Sequence, residues 1–273
     1  MVNQLVLSVF SGIDILGRGF KETGFCVVSA GDILFGQDIR EFKSIAGRFD
    51  GIVGGSPCQD FSRARRTPPT GYGLEMIEQF KRVVIESRPK WFLLENVPCV
   101  PNIEIEGYQI QRFDLNANEA GSQQNRLRHF QFGSLDGLVL SIKRERLTHG
   151  GTRTVTASEG RQKDRRGIED VCMLQGLEKD FYKKLKVFHK SGIYTVIGNA
   201  VNLNVSKRIA ETIKTTTDGA NAAKLNDVRL CRCGCGRILT GRQTSAGATC
   251  RKRVQKQKES VIKPGVLNQA ESQ

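Results

Sequence analysis

Two side chains in this 273-residue sequence stand where reactivity explains them better than packing. Cys58 follows Pro57 in GGSPCQDFS (54–62), a glycine-rich turn directly after an apolar, β-rich run. An accessible thiol of lowered pKa at such a turn is a nucleophile; a buried structural cysteine is the alternative. Glu95 ends the apolar run WFLLEN (91–96). A carboxylate desolvated at a strand end has a raised pKa and can act as an acid near neutrality. Singly each signal is weak, but together they predict one cleft. A second cluster is formed by Cys231, Cys233, Cys235 and Cys250. Four thiolates are the ligand number of a structural zinc site, and a segment with few large apolar side chains needs such a staple. The C-x-C-x-C-x14-C spacing departs from paired CxxC knuckles. A flexible basic tail with unligated cysteines is therefore the competing reading.

The elements that must position these groups alternate between β-rich and helical patterns. LVLSVFSG (5–12), CVVSAGD (26–32), FDGIVGG (49–55) and WFLLEN (91–96) read as strands, with a helix over GLEMIEQFKRVVIESRP (73–89) before the fourth. YQIQRFDL (108–115) and RHFQFGS (128–134) are further strand candidates, and NLNVSKRIAETIK (202–214) reads as a closing helix. This order predicts an α/β fold with a doubly wound, mostly parallel sheet, whose chemistry lies at the carboxyl ends of the strands. The turn FSGIDILGRGF (10–20) then offers Phe10, Gly12, Ile13 and Asp14 to a ligand, and Asp32 at the tip of the second strand could hold ribose hydroxyls.

The formal charge is +14, from 42 Lys+Arg against 28 Asp+Glu. Such an excess suits nucleic acid first and a membrane surface second. It divides unevenly: residues 219–273 carry 11 basic and 3 acidic residues, a net +8, and no acid occurs between Val228 and Lys258. No apolar run approaches a membrane span and the N-terminus lacks signal-peptide features, which predicts a cytoplasmic protein with reduced thiols. His129, His149 and His189 show neither ligand spacing nor a nucleophile partner and read as surface or packing residues.

With these residues in place, the chain resembles the DNA cytosine-5 methyltransferases, and its compactness and basic tail resemble small phage- or prophage-borne members. FSGIDILGRGF looks like the family's cofactor turn, Asp38-Ile39 its adenine-contacting segment, Pro57-Cys58-Gln59 its nucleophile motif and Glu95-Asn96-Val97 its glutamate motif. Gln124-Asn125-Arg126-Leu127-Arg128 fits QxRxR, MLQGLEKDF (173–181) resembles the segment that organises the recognition region, and Ile197–Val201 resembles the last cofactor motif, with Asn199, Ala200 and Val201. The departures are Asp14-Ile15 in place of two glycines, Ser56 in place of proline, and Asn202 where proline follows the last motif.

The resemblance implies S-adenosylmethionine as cofactor and double-stranded DNA as partner, with the protein acting as a monomer. It implies that Cys58 adds to cytosine C6, that Glu95 hydrogen-bonds or protonates N3, and that Arg128 holds O2 with Arg126 in support. Flipping the base out of the duplex accompanies this chemistry, and the loop Arg63-Ala64-Arg65-Arg66 is placed to close over it. The division expected is a catalytic core over 1–133 and 167–215, a reduced target-recognition region over 134–166, a linker over 216–227, a basic Cys-rich module over 228–258 and a disordered tail over 259–273. Methylation of a tRNA, or a non-catalytic DNA-binding relative, are the alternatives.

Overall fold

The computed structural model describes residues 4–62, 65, 67–145, 151–219, 222–248 and 250–255. Its centre is a six-stranded sheet of β1 (Leu5–Val9), β2 (Cys26–Ala30), β3 (Gly51–Gly55), β4 (Trp91–Asn96), β5 (Gln109–Asn116) and β6 (Leu127–Ser134), in the order β2-β1-β3-β4-β6-β5. The first four are parallel neighbours, whereas β6 runs antiparallel to both β4 and β5. Every residue of β4 is buried, as expected of a central strand covered on both faces.

Helices cover the two faces. On one lie α1 (Ile15–Glu22) and α5 (Leu203–Asp218), which pack Phe20, Val205, Ile209 and Ile213 against Val6, Leu93 and Phe130. On the other lies α2 (Tyr72–Ser87), whose Met76, Phe80, Val83 and Val84 meet Leu7, Ile52 and Phe92. The helical spacing read from the sequence for 73–89 is this buried stripe. A third cluster joins α3 (Ile168–Leu174) and α4 (Lys190–Asn199) to Ile15 and Val155 at the end of the sheet where the parallel strands finish. The fold is the mostly parallel α/β architecture expected. No helix among the described residues is long and apolar enough to cross a membrane.

The expected linker begins inside a helix. Thr216, Thr217 and Asp218 form the last turn of α5, anchored by Gln4 Nε2, which donates to Thr217 Oγ1 at 2.7 Å and Asp218 Oδ1 at 3.3 Å. Beyond it, residues 222–227 run beside 137–139, with Val139 N–H donating to Ala223 O and Leu225 N–H to Gly137 O. The cysteine module carries a two-stranded ribbon of β7 (Arg229–Leu230) and β8 (Ile238–Leu239). Residues 259–273, where the disordered tail is expected, lie outside the described residues, as do 146–150 of the expected recognition region.

Candidate active site

The turn after β1 is fixed by its neighbours. Phe10 and Gly12 both adopt left-handed backbone (φ 51° and 54°), an uncommon conformation for phenylalanine. The Gly12 N–H donates to Asp32 Oδ2 at 2.6 Å, and Leu34 N–H to Asp32 Oδ1 at 2.8 Å. Asp32 therefore ties the tips of β1 and β2 together while still lining the cleft. Asp14, expected among the cofactor contacts, is absent from the cleft wall. Its carboxylate caps α1, accepting from Gly17 N–H at 3.1 Å, and also accepts from the hydroxyls of Ser8 and Ser29. The wall holds Phe10, Gly12, Ile13, Asp38 and Ile39 from the first two turns and Asn199, Ala200 and Val201 from the end of α4. Its far side is formed by Pro57, Cys58, Glu95 and Arg128.

Cys58 and Glu95 meet because β3 and β4 are paired, with Gly55 opposite Glu95. A Cβ on Gly55 would lie 2.9 Å from Glu95 Oε2, so glycine leaves the carboxylate its place. Arg128 stands near the start of β6, two register steps beyond the Glu95–Phe130 pair, and its Nε reaches Glu95 Oε1 at 3.1 Å. Burial raises the Glu95 pKa, and the charges of Arg128 and Arg126 oppose the shift without cancelling it. The Cys58 thiol is also raised, first by burial and then by the negative charge of Glu95, with Arg128 and Arg126 pulling the other way. Two groups whose charged forms disfavour each other share one cleft, with the Arg128 cation on the same wall.

The comparisons with known proteins agree with this arrangement. Residues 34–164 match the family described as C-5 cytosine-specific DNA methylase. The match covers 131 of the 273 residues, just under half of the chain. It is 27% identical over 180 residues to the Type II methyltransferase M.XorII of Xanthomonas oryzae, covering 51% of this chain and 42% of that one. It is 30% identical over 169 residues to the Type II methyltransferase M.FnuDI of Fusobacterium nucleatum, covering 50% and 48%. The matches thus span about half the length of these relatives. Among solved structures, the Entamoeba histolytica methyltransferase EhMeth superposes with a TM-score of 0.59 over 78% of this chain and 98% of that one at 11% identity, a likeness of fold.

Within the family's QxRxR segment the two arginines have different surroundings. Arg128 reaches the cleft, but Arg126 is fully buried behind it and makes no hydrogen bond to Glu95. It donates instead to the carbonyls of Val155 (2.6 Å), Gly198 (2.8 Å) and Ala200 (2.9 Å). Burial and the adjacent Arg128 charge lower its pKa. Arg126 thereby holds the loop of Asn199–Val201 against the sheet. Gln124 and Gln175 support the same junction, through Gln124 Nε2 to Leu174 O and Gln175 Nε2 to Ile197 O.

Sequence reasoning missed Tyr72 and Met76, which line the cleft from the first turns of α2, and the buried pair of Asn96 and Ser56. The apolar stripe of α2 could have pointed to Met76; Ser56 stood out as a departure from the nucleophile motif, but nothing local showed that Asn96 is its partner. His129, read as a packing residue, is buried on β6, where Nδ1 contacts Asp114 Oδ1 at 2.8 Å; His189 precedes α4 as its N-cap residue. His149 lies outside the described residues, as do Arg63, Ala64 and Arg66 of the expected closing loop; Arg65 donates to Asp60 O.

The four clustered cysteines converge. Their Sγ atoms all lie within 4.8 Å of one another, with 3.5 Å between Cys231 and Cys233 and 3.8 Å between Cys235 and Cys250. Zinc–sulfur bonds of about 2.3 Å in a tetrahedron require sulfurs about 3.8 Å apart, so the donor set fits. The four side chains form the module's buried centre with Leu239, which is too little apolar material for an ordinary core.

Proposed function

We propose that the chain is a DNA cytosine-5 methyltransferase that uses S-adenosylmethionine. The observation that carries the reading is the single cleft in which Cys58, Glu95 and Arg128 face the glycine turn and the Asn199–Val201 loop. The cleft suits the cofactor: Ile13, Ile33, Leu34 and Ile39 offer apolar walls to a purine, and Asp32 and Asp38 offer carboxylates to its polar edges. When bound, the cofactor supplies a methyl group on a cationic sulfur.

Cytosine C5 is a weak nucleophile until C6 is attacked. The Cys58 sulfur forms a bond to C6, and the electron pair of the C5–C6 double bond passes into the ring toward N3, where Glu95 delivers its proton. The raised pKa of Glu95 suits this step, because the carboxyl must be protonated when the ring becomes electron-rich. While Glu95 keeps its proton it places no negative charge beside Cys58, so the protonated acid that N3 needs also spares the thiol the charge that would raise its pKa. Arg128 keeps Glu95 in place and reaches toward O2. C5 then takes the methyl group, a base removes the C5 proton, the C6–sulfur bond breaks to release Cys58 as a thiolate, and N3 returns its proton to Glu95.

The core is assigned to 1–133 and 167–215, with 134–166 as a shortened recognition region and 228–258 as a basic module built on zinc held by Cys231, Cys233, Cys235 and Cys250. Asp14 serves this site by capping α1, and Arg126 by bracing the loop after α4. Incubation with tritiated S-adenosylmethionine and duplex DNA, tRNA or no nucleic acid tests the reading. Label in duplex DNA that is lost in Cys58→Ala supports it; label in tRNA alone overturns it.

A further inference from the structure

The cysteine module is docked against the sheet through charged and close-packed contacts. Arg237 is paired with Glu119, Arg253 Nη1 lies 3.2 Å from Asp114 Oδ2, and Gln111 Nε2 donates to Gly236 O. Gly236 has φ 69°, and a Cβ there would lie 2.4 Å from Arg112 O, so the module's backbone rests on β5 itself. The position of this contact along the sheet follows from register. Asp114 pairs with His129 across β5 and β6, and His129 pairs with Asn96 across β6 and β4. Asp114 therefore lies in the same row as Asn96, the residue after Glu95. Through Arg253, the module's last described helical segment (250–255) stands at the catalytic end of the sheet.

The charge on this segment has no counterpart within it. Val228–Gln255 contains no acid. Of its basic residues, Arg237 and Arg253 are consumed by carboxylates of the body. Arg232, Arg242, Arg251 and Lys252 are exposed, and none is paired with a carboxylate among the described residues. Fixed, unpaired cations beside a cleft create a positive field that an anionic backbone can neutralise by releasing its counterions.

We propose that the module is a rigid phosphate-binding wall for duplex DNA, in which Arg242, Arg251 and Lys252 contact the backbone beside the cytosine entering the cleft, while Arg237 and Arg253 hold the wall in position. This rests on the methyltransferase reading above. The test compares the full-length wild type with Arg242→Ala/Arg251→Ala/Lys252→Ala, using fluorescence anisotropy of a labelled duplex between 50 and 200 mM salt. Each phosphate contact adds about 0.9 to the slope of log affinity against log salt, so the triple variant should lose about 2–3 units of slope. Thermal unfolding and metal content equal to wild type show that its module is folded, and Arg242→Lys/Arg251→Lys should retain most of the slope. An unchanged slope in the folded alanine variant, while wild type still labels duplex DNA, overturns the module's role alone. If wild type neither binds nor labels duplex DNA, the underlying reading fails with it.

Discussion

Asn96 donates through Nδ2 to both the carbonyl (3.1 Å) and the hydroxyl (2.9 Å) of Ser56, and both residues are buried. Ser56 lies two residues before Cys58, and Asn96 directly follows Glu95. This pair joins the two turns that carry the reacting groups at the end of adjacent strands. The Ser56 hydroxyl and carbonyl thus hold the turn that leads into Pro57 and Cys58. The Asn96 side chain closes on itself as well, its Oδ1 accepting from Val97 N–H at 2.8 Å.

Replacing Glu95 by glutamine should lower the pH at which Cys58 becomes reactive. Burial raises the thiol pKa and Glu95 raises it further, so removing the carboxylate leaves burial opposed by Arg128 and Arg126. The rate of iodoacetamide alkylation at Cys58, followed against pH, should show its midpoint at lower pH in Glu95→Gln than in wild type, while methyl transfer is lost. An identical midpoint would show that the two groups do not sense each other.

The same substitution should stabilise the folded chain at neutral pH. A carboxyl whose folded pKa is raised favours folding below its ordinary value, near 4.3, and loses that contribution as pH rises through the folded pKa. Glu95→Gln should thus unfold at a higher temperature than wild type at pH 7–8, with the difference closing toward pH 4. Thermal melts across this range measure it; a lower melting temperature at pH 7–8 would mean that the Arg128 contact outweighs burial.

Arg126 should matter for stability and cofactor affinity together. Arg126→Met keeps the volume but leaves the carbonyls of Val155, Gly198 and Ala200 without their donor, at a cost of about 3 kcal/mol or more in urea unfolding. Calorimetric affinity for S-adenosylmethionine should fall with it, because Asn199–Val201 line the cleft. Arg126→Lys, which keeps the charge but not the planar fork, should be intermediate.

Gly55→Ala probes the carboxylate's seat. The added methyl meets Glu95 Oε2 at 2.9 Å and forces that side chain to shift. A misplacement of about 1 Å can lower turnover by about 100-fold, so single-turnover methyl transfer should fall by roughly that factor while cofactor affinity stays near wild type.

Much of the site was legible because its parts obey short rules. Short apolar runs that end in a turn announce themselves by composition, and Cys58 and Glu95 stand at such ends. What escaped depends on distant partners. Thr216 and Thr217 read as linker because they precede the basic, cysteine-rich segment, yet they continue α5, where the Thr217 hydroxyl donates back to Ile213 O and Gln4 secures the end. Asp14 looked like a ligand-facing acid, but its left-handed backbone turns it into the cap of α1. The docking of the cysteine module rests on arginines meeting carboxylates more than a hundred residues earlier, pairings that no local pattern encodes.

The single reversed strand has a geometric consequence. Because β6 runs against β4, its second residue arrives at the end where β4 finishes, and Arg128 reaches Glu95 from a neighbouring ladder. Turned parallel, β6 would carry Arg128 to the opposite rim, about 20 Å away at roughly 3.3 Å per residue. One inversion in an otherwise parallel sheet thus lets a late segment of the chain supply a cation where earlier segments supply the acid and the thiol, with interstrand hydrogen bonds setting their separation.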